Sequence, residues 1–122
     1  MAKKMKKIYL DYAATTPVDP RVLKFILPYF SEKFGNTASL HSFGQEAEEA
    51  LEDSRQIISR ALGAQSKEII FTSSATESNN LAIRGTALAN KNKGNHIIVS
   101  SIEHDCVLNS ARWLKARGFE LT

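Results

Sequence analysis

The sequence carries one cysteine, Cys106, among its 122 residues. A lone thiol cannot close an internal disulfide, which fits a reducing compartment, so a cytoplasmic setting is expected. No apolar run approaches the ~20 residues that a bilayer-spanning helix needs, so no membrane is expected. The lysine-rich start is not followed by a signal-peptide core, because Ile8-Tyr9-Leu10 is short and Asp11 interrupts it. With 6 Gly and 3 Pro, and no internal repeat or low-complexity stretch, collagen and filament classes are excluded. His41, His96 and His104, with the one cysteine, show no zinc spacing.

A charge excess is also missing from the body of the chain. The formal net charge is +3, but four of the 16 basic residues are Lys3, Lys4, Lys6 and Lys7. Without those first seven residues, 12 basic residues face 13 acidic ones. Direct nucleic-acid binding is therefore not expected, and the lysines read as a solvated, flexible tail. What is present is globular: 43% hydrophobic and 24% charged residues, enough for the core of one domain.

Ile8 to Leu10 reads as a short strand and Asp11 to Pro17 as a loop. Asp19-Pro20 is a helix start, with a capping carboxylate and a proline where a missing N–H costs nothing. That helix should run to about Phe34, bent or split by Pro28, and stop at Gly35. A polar loop, Asn36 to Ser42, leads to a second helix from about Gly44 to Leu62. Its apolar stripe is Ala47, Leu51, Ser54, Ile58 and Ala61, flanked by Ala50, Ile57 and Leu62. Acidic residues fill its first half and Arg55 and Arg60 its second, which suits the helix dipole. Gly63 ends it.

Then the rhythm changes. Glu68–Thr72, His96–Ser100 and Phe119–Thr122 read as strands, separated by helices over Thr76 to about Lys91 and Glu103 to about Arg117. Strand, helix, strand, helix, strand implies a parallel sheet with crossover helices. The fold class expected is α/β: an N-terminal helical segment, then the start of a mostly parallel sheet. A parallel strand needs covered faces, so the third strand at the chain's end implies the front of a larger domain.

The densest chemistry is Phe71-Thr72-Ser73-Ser74-Ala75-Thr76-Glu77-Ser78, where a strand gives way to a helix. Free N–H groups at a helix start, with the hydroxyls of Thr72, Ser73, Ser74 and Thr76 around them, suit a phosphate. Ser74-Ala75-Thr76-Glu77 also fits a capping box that needs no ligand. Both readings stand on spacing alone. His104 occupies the equivalent place after the next strand, roughly 5–10 Å away if the two strands are neighbours. An imidazole there can stack on a flat ring, move protons, or simply cap a helix. His41 reads as a solvated loop residue, His96 as structural, and Cys106 as a small buried residue.

Four stretches, in order, resemble the cysteine desulfurases, which are class V, fold-type I enzymes dependent on pyridoxal 5′-phosphate (PLP). They are Tyr9-Leu10-Asp11-Tyr12-Ala13-Ala14-Thr15-Thr16-Pro17, Phe34-Gly35-Asn36, Phe71 through Ala82, and Glu103-His104. The resemblance implies PLP as cofactor, its phosphate bound by the Ala75 backbone and by Thr76. His104 would stack on the ring and assist proton transfer as the catalytic residue. It implies sulfur removal from L-cysteine, giving alanine and an enzyme persulfide, and delivery to an acceptor such as an iron–sulfur scaffold. It also implies a homodimer in the complete enzyme. Ser74 stands where the family usually has Gly, and Thr37 where it often has Pro. The family's Schiff-base lysine, the aspartate for the pyridine nitrogen, the substrate-carboxylate residue and the persulfide cysteine have no counterpart in these residues. The expected division is a basic tail (1–7), an N-terminal segment (8–43), and the first part of a PLP-binding large domain (44–122). A non-catalytic remnant of the fold, or part of a selenocysteine lyase or aminotransferase of the same class, remains open.

Overall fold

The computed structural model describes residues 6–122; the expectation for Lys3 and Lys4 lies outside them. The chain forms two compact units, one ending at Ile69 and the other spanning Ile70–Thr122. Among the described residues, no helix is long and apolar enough to cross a membrane.

The first unit opens as coil: Ile8 to Leu10 forms no strand. A turn follows, with Ala14 N–H donating to the Asp11 carbonyl at 3.1 Å. Helix α1 (Pro20–Ile26) begins as the sequence implies. The Asp19 carboxylate accepts the Arg21 N–H at 2.8 Å and pairs with its guanidinium, which holds the carboxyl below its usual range. Pro28 splits the helical run, and the short α2 (Pro28–Ser31) follows. It ends before the expected Phe34; Glu32 and Lys33 both donate to the Pro28 carbonyl, the second over five residues, as the last turn widens.

Helix α3 (Ser42–Leu62) starts two residues earlier than its apolar pattern predicts. His41 is the reason. Its Nδ1 accepts the Gly44 N–H at 3.4 Å, and its carbonyl accepts from Gly44 and Gln45. An imidazole nitrogen here does what a Ser or Asp oxygen usually does. So His41 is not a free loop histidine. Gly63 ends the helix in the left-handed region at φ +67°, as expected of a glycine stop.

The buried stripe of α3 differs from the expected one. Gly44 and Ser59 are buried, while Ile57, Ile58 and Leu62 are exposed. A 3-10 turn at Ser66–Glu68 packs against the helix. Ser59 Oγ lies 3.4 Å from Ser66 Oγ, and Arg55 donates to the Ile69 carbonyl. Polar contacts to this returning turn, not aliphatic packing, therefore set which side of the helix faces inward. Glu68 is accordingly not the start of a strand, because its carboxylate caps this turn by accepting the Gln65 N–H at 2.7 Å. Ile69 is extended (φ −92°, ψ 121°), yet residues 69–72 join no ladder among the described residues.

The second unit contains α4 (Ala75–Ala89), β1 (His96–Ile97), α5 (Asp105–Lys115) and β2 (Glu120–Leu121). The strands pair parallel, with His96 opposite Glu120 and Ile97 opposite Leu121. They are shorter than the expected strands, although ladder bonds reach further, from Glu120 N–H to the Asn95 carbonyl and from Val99 N–H to the Thr122 carbonyl. β1, α5 and β2 thus form the expected parallel crossover. His96 ties the pair together, with Nε2 2.8 Å from Thr122 Oγ1. The core is small: Ser110, Ala111 and Leu114 on one face of α5, and Phe119, which Gly118 delivers at φ +88°. Trp113 lies beneath two guanidiniums, those of Arg84 at 4.6 Å and Arg117 at 3.5 Å.

Glycine matters where backbones touch. A Cβ on Gly44 would sit 2.2 Å from the Ser39 carbonyl oxygen, whereas one on Gly85, inside α4, would meet nothing within 4 Å. Gly44→Ala should therefore destabilise the protein by roughly 1–3 kcal/mol. Gly85→Ala should stabilise it by about 0.8–1 kcal/mol through helix propensity. Urea unfolding of both variants checks the opposite signs.

Candidate functional site

The two segments singled out for chemistry are the starts of α4 and α5. Both helices belong to the same unit, and the second turn of α4 is joined to the first two turns of α5. Asn79 Nδ2 donates to Cys106 Sγ at 3.2 Å, and the Ser110 hydroxyl lies 2.9 Å from Asn80 Oδ1. Further along, Arg84 meets Trp113, and Lys91 Nζ donates to the Arg117 carbonyl at 3.4 Å. This steady offset makes α4 and α5 parallel, so their N-termini share one end. Thr76 and His104 are brought to that end together.

At the start of α4, Ser74 is the N-cap, its Oγ accepting the Glu77 N–H at 3.2 Å. The Glu77 carboxylate folds back one residue beyond a standard capping box. It accepts the Ser73 N–H at 2.7 Å and the Ser73 hydroxyl at 2.6 Å, which holds its carboxyl below the usual value. Thr72 Oγ1 is 2.6 Å from Ser78 Oγ and 3.2 Å from the Ser74 carbonyl oxygen. The expectation of four hydroxyls available to a ligand is thus corrected: Thr72, Ser73 and Ser74 are committed to shaping the turn. The N–H groups of Ala75 and Thr76, and the Thr76 hydroxyl, have no protein partner among the described residues. Ala75 and Thr76 are both exposed. That donor set, at the positive end of a 15-residue helix, suits a phosphate.

At the start of α5, His104 is the N-cap, exposed and extended (φ −61°, ψ 148°). Its Nδ1 accepts the Cys106 N–H at 3.2 Å and lies 3.1 Å from Cys106 Sγ. The ring therefore stands at the start of α5, at the same end of the helix pair as the donors of α4. Cys106 is half-buried, with Asn79 and His104 beside its sulfur, which corrects the expectation of a small buried residue. Sequence reasoning gave no role to Ser110, nor to Asn79 and Asn80, although these two lie in the stretch Phe71 through Ala82. By spacing they are polar residues on helices, indistinguishable from a solvated face until the partner helix is placed.

The residues fit PLP in the chemistry of their donors: two free amides and a hydroxyl for a phosphate, and an imidazole for a ring. Among the described residues, no lysine lies in the first turns of α4 or α5; Lys91, Lys93 and Lys115 lie at the opposite ends of these helices. No group of three or more His, Cys, Asp or Glu converges among the described residues.

Ser74→Ala should cost about 1 kcal/mol through loss of the cap. Glu77 adds a pH dependence. Its folded pKa lies below the ordinary 4.5, so its contribution is complete above that value and is lost as the pH falls through the lowered one. Glu77→Gln should flatten this acid limb. Unfolding midpoints measured between neutral and acid pH check both expectations.

The family model for Aminotransferase class-V matches residues 8–122. The cysteine desulfurase IscS of Rickettsia typhi is 58% identical over 116 residues, covering 94% of this chain and 28% of that protein. The IscS of Rickettsia felis is likewise 58% identical over the same shares. The chain thus spans a little over a quarter of the length of these relatives. Among solved structures, a NifS-like protein superimposes with a TM-score of 0.88 at 38% identity, covering 96% of this chain and 32% of that one. SspA in complex with cysteine gives 0.83 at 46% identity, covering 93% and 33%. With a family model that spans nearly every described residue and a fold that superimposes on these structures, the chain belongs to the class V aminotransferase family.

Proposed function

We propose that this chain is part of a PLP-dependent cysteine desulfurase and supplies the phosphate anchor and ring-facing histidine of its active site. The observation that carries the reading is the shared end of α4 and α5, which holds both the unpartnered donors on Ala75 and Thr76 and the imidazole of His104. The similarity to IscS proteins and to SspA with cysteine supports the substrate, L-cysteine. PLP, when bound, supplies the electron sink for breaking bonds at the substrate. The Ala75 and Thr76 amides and the Thr76 hydroxyl bind its phosphate, and His104 covers its ring. The products are alanine and an enzyme persulfide, with the sulfur passed to an acceptor such as an iron–sulfur scaffold. The setting is cytoplasmic, and the working enzyme is a homodimer.

Thr76→Val in the complete enzyme should weaken PLP binding about 10- to 100-fold, the effect of losing a charge-assisted hydrogen bond of ~1.5–3 kcal/mol. Equal affinity in a cofactor titration would remove Thr76 from the site.

The 122 residues by themselves should show no desulfurase turnover. Covalent capture of PLP needs a lysine amine held beside the bound aldehyde. Neither first turn of α4 nor of α5 offers one. Sulfide and alanine measured with PLP and L-cysteine should match the rate of free PLP; faster turnover would require a lysine that this reading leaves out.

A further inference from the structure

We infer that Asn80 and Ser110 are positioning residues for the phosphate anchor: together they tie the Thr76 carbonyl to α5 and so hold the Thr76 hydroxyl in the direction of the phosphate. This rests on the reading above, that the phosphate of PLP binds at Ala75 and Thr76.

Thr76 is the second residue of α4, in the turn where a helix frays most readily. Its N-terminal side is held by Ser74, which caps Glu77 and takes the Ser78 N–H on its carbonyl at 3.0 Å. Its C-terminal side is held by Asn80. The Asn80 side chain folds back one turn and donates from Nδ2 to the Thr76 carbonyl at 2.7 Å. Such a back-bond is local and needs no second helix. Asn90 makes the same one, to the Thr86 carbonyl at 2.9 Å, and its oxygen meets no donor among the described residues.

Asn80 differs. Its Oδ1 faces the Ser110 hydroxyl of α5 at 2.9 Å, and Ser110 is fully buried. That hydroxyl has one proton and a second acceptor, the Cys106 carbonyl at 2.8 Å, so the bond is three-centred. The Cys106 carbonyl lies inside α5 and is also answered by the ladder of that helix. Asn80 Oδ1 has no other donor among the described residues. A buried hydroxyl on one helix thus reaches, through one amide, the carbonyl of the residue that carries the phosphate donors.

The link acts through the backbone. The Thr76 carbonyl and side chain leave the same Cα. Fixing the carbonyl fixes ψ at that residue, and a side chain branched at Cβ then has few rotamers left. The hydroxyl is therefore aimed before a phosphate arrives. Both polar atoms of the Asn80 amide are committed, so its contribution passes through Thr76.

The test uses the full-length enzyme and two probes: PLP, and pyridoxal, which has the same ring without the phosphate. The quantity measured is the preference for PLP, the ratio of the two dissociation constants in titrations followed by cofactor absorbance. Asn80→Ala and Ser110→Ala should each lower that preference about 3- to 10-fold, the effect of losing one neutral hydrogen bond. The double variant should fall no further than the lower single one, because the two bonds lie in series. Ser110→Ala removes a hydroxyl alone, and decides the question where Asn80→Ala fails to fold.

Equal weakening of PLP and pyridoxal, or unchanged binding of both, would overturn the inference, since the pair would then serve only the fold. Thr76→Val separates that failure from failure of the underlying reading. If Thr76→Val lowers the preference while Asn80→Ala and Ser110→Ala do not, the anchor stands and the positioning link falls. If Thr76→Val leaves the preference unchanged, the phosphate does not bind at Thr76, and the inference falls with that reading.

Discussion

The polar seam between α4 and α5 is the contact on which the second unit depends. Ser110 is fully buried, and its neighbour Ala111 is nearly so, which lets the two helices come close. Asn80 answers the Ser110 hydroxyl and Asn79 answers Cys106, so the seam is directional as well as close. An aliphatic seam of the same area would hold the helices together but allow them to slide. Specific donor and acceptor pairs fix the axial register, and that register puts Thr76 and His104 at one end.

Bringing two parallel helix starts together has a cost. Their positive ends adjoin, and their first amides lack partners within the helices. The local chemistry offsets part of this. Ser74 and His104 each take one amide, and Glu77 and Asp105 place negative charge in the first turns. The amides of Ala75 and Thr76 remain. Because Thr72, Ser73 and Ser74 bind within the turn, an anion arriving there meets donors that are already aimed, with little ordering left to do.

The first unit solves its own capping problem with the same side chain. His41 caps α3 through Nδ1, as His104 caps α5. Around His41 the backbone is packed against Gly35 and Gly44, where any Cβ would strike a carbonyl oxygen, and Phe34 and Phe43 lie with ring centroids 5.8 Å apart. Lys33 pairs with Glu46 at 3.0 Å, which raises the lysine's pKa, and so ties the end of the α2 turn to the first turns of α3.

The sequence by itself determined the punctuation. Asp19-Pro20, Pro28, Gly63, Ser74 and Gly118 act through their own dihedral limits or hydrogen bonds to the next few residues, so their effects were readable without a partner. The parallel crossover was legible for the same reason, from the alternation of apolar runs and helical segments. The donors at Ala75 and Thr76 and the position of His104 follow from those boundaries. Tertiary structure decided the rest. Residues 69–72 join no ladder among the described residues, because a strand exists only through its neighbour. The inward side of α3 went to Ser59 and Arg55, which a returning turn engages through hydrogen bonds, while Ile58 stays exposed. The surroundings of His104 likewise include a thiol held by an asparagine from the helix beside it. The pairings along α4 and α5 join residues 26 to 30 positions apart, and no local pattern encodes them.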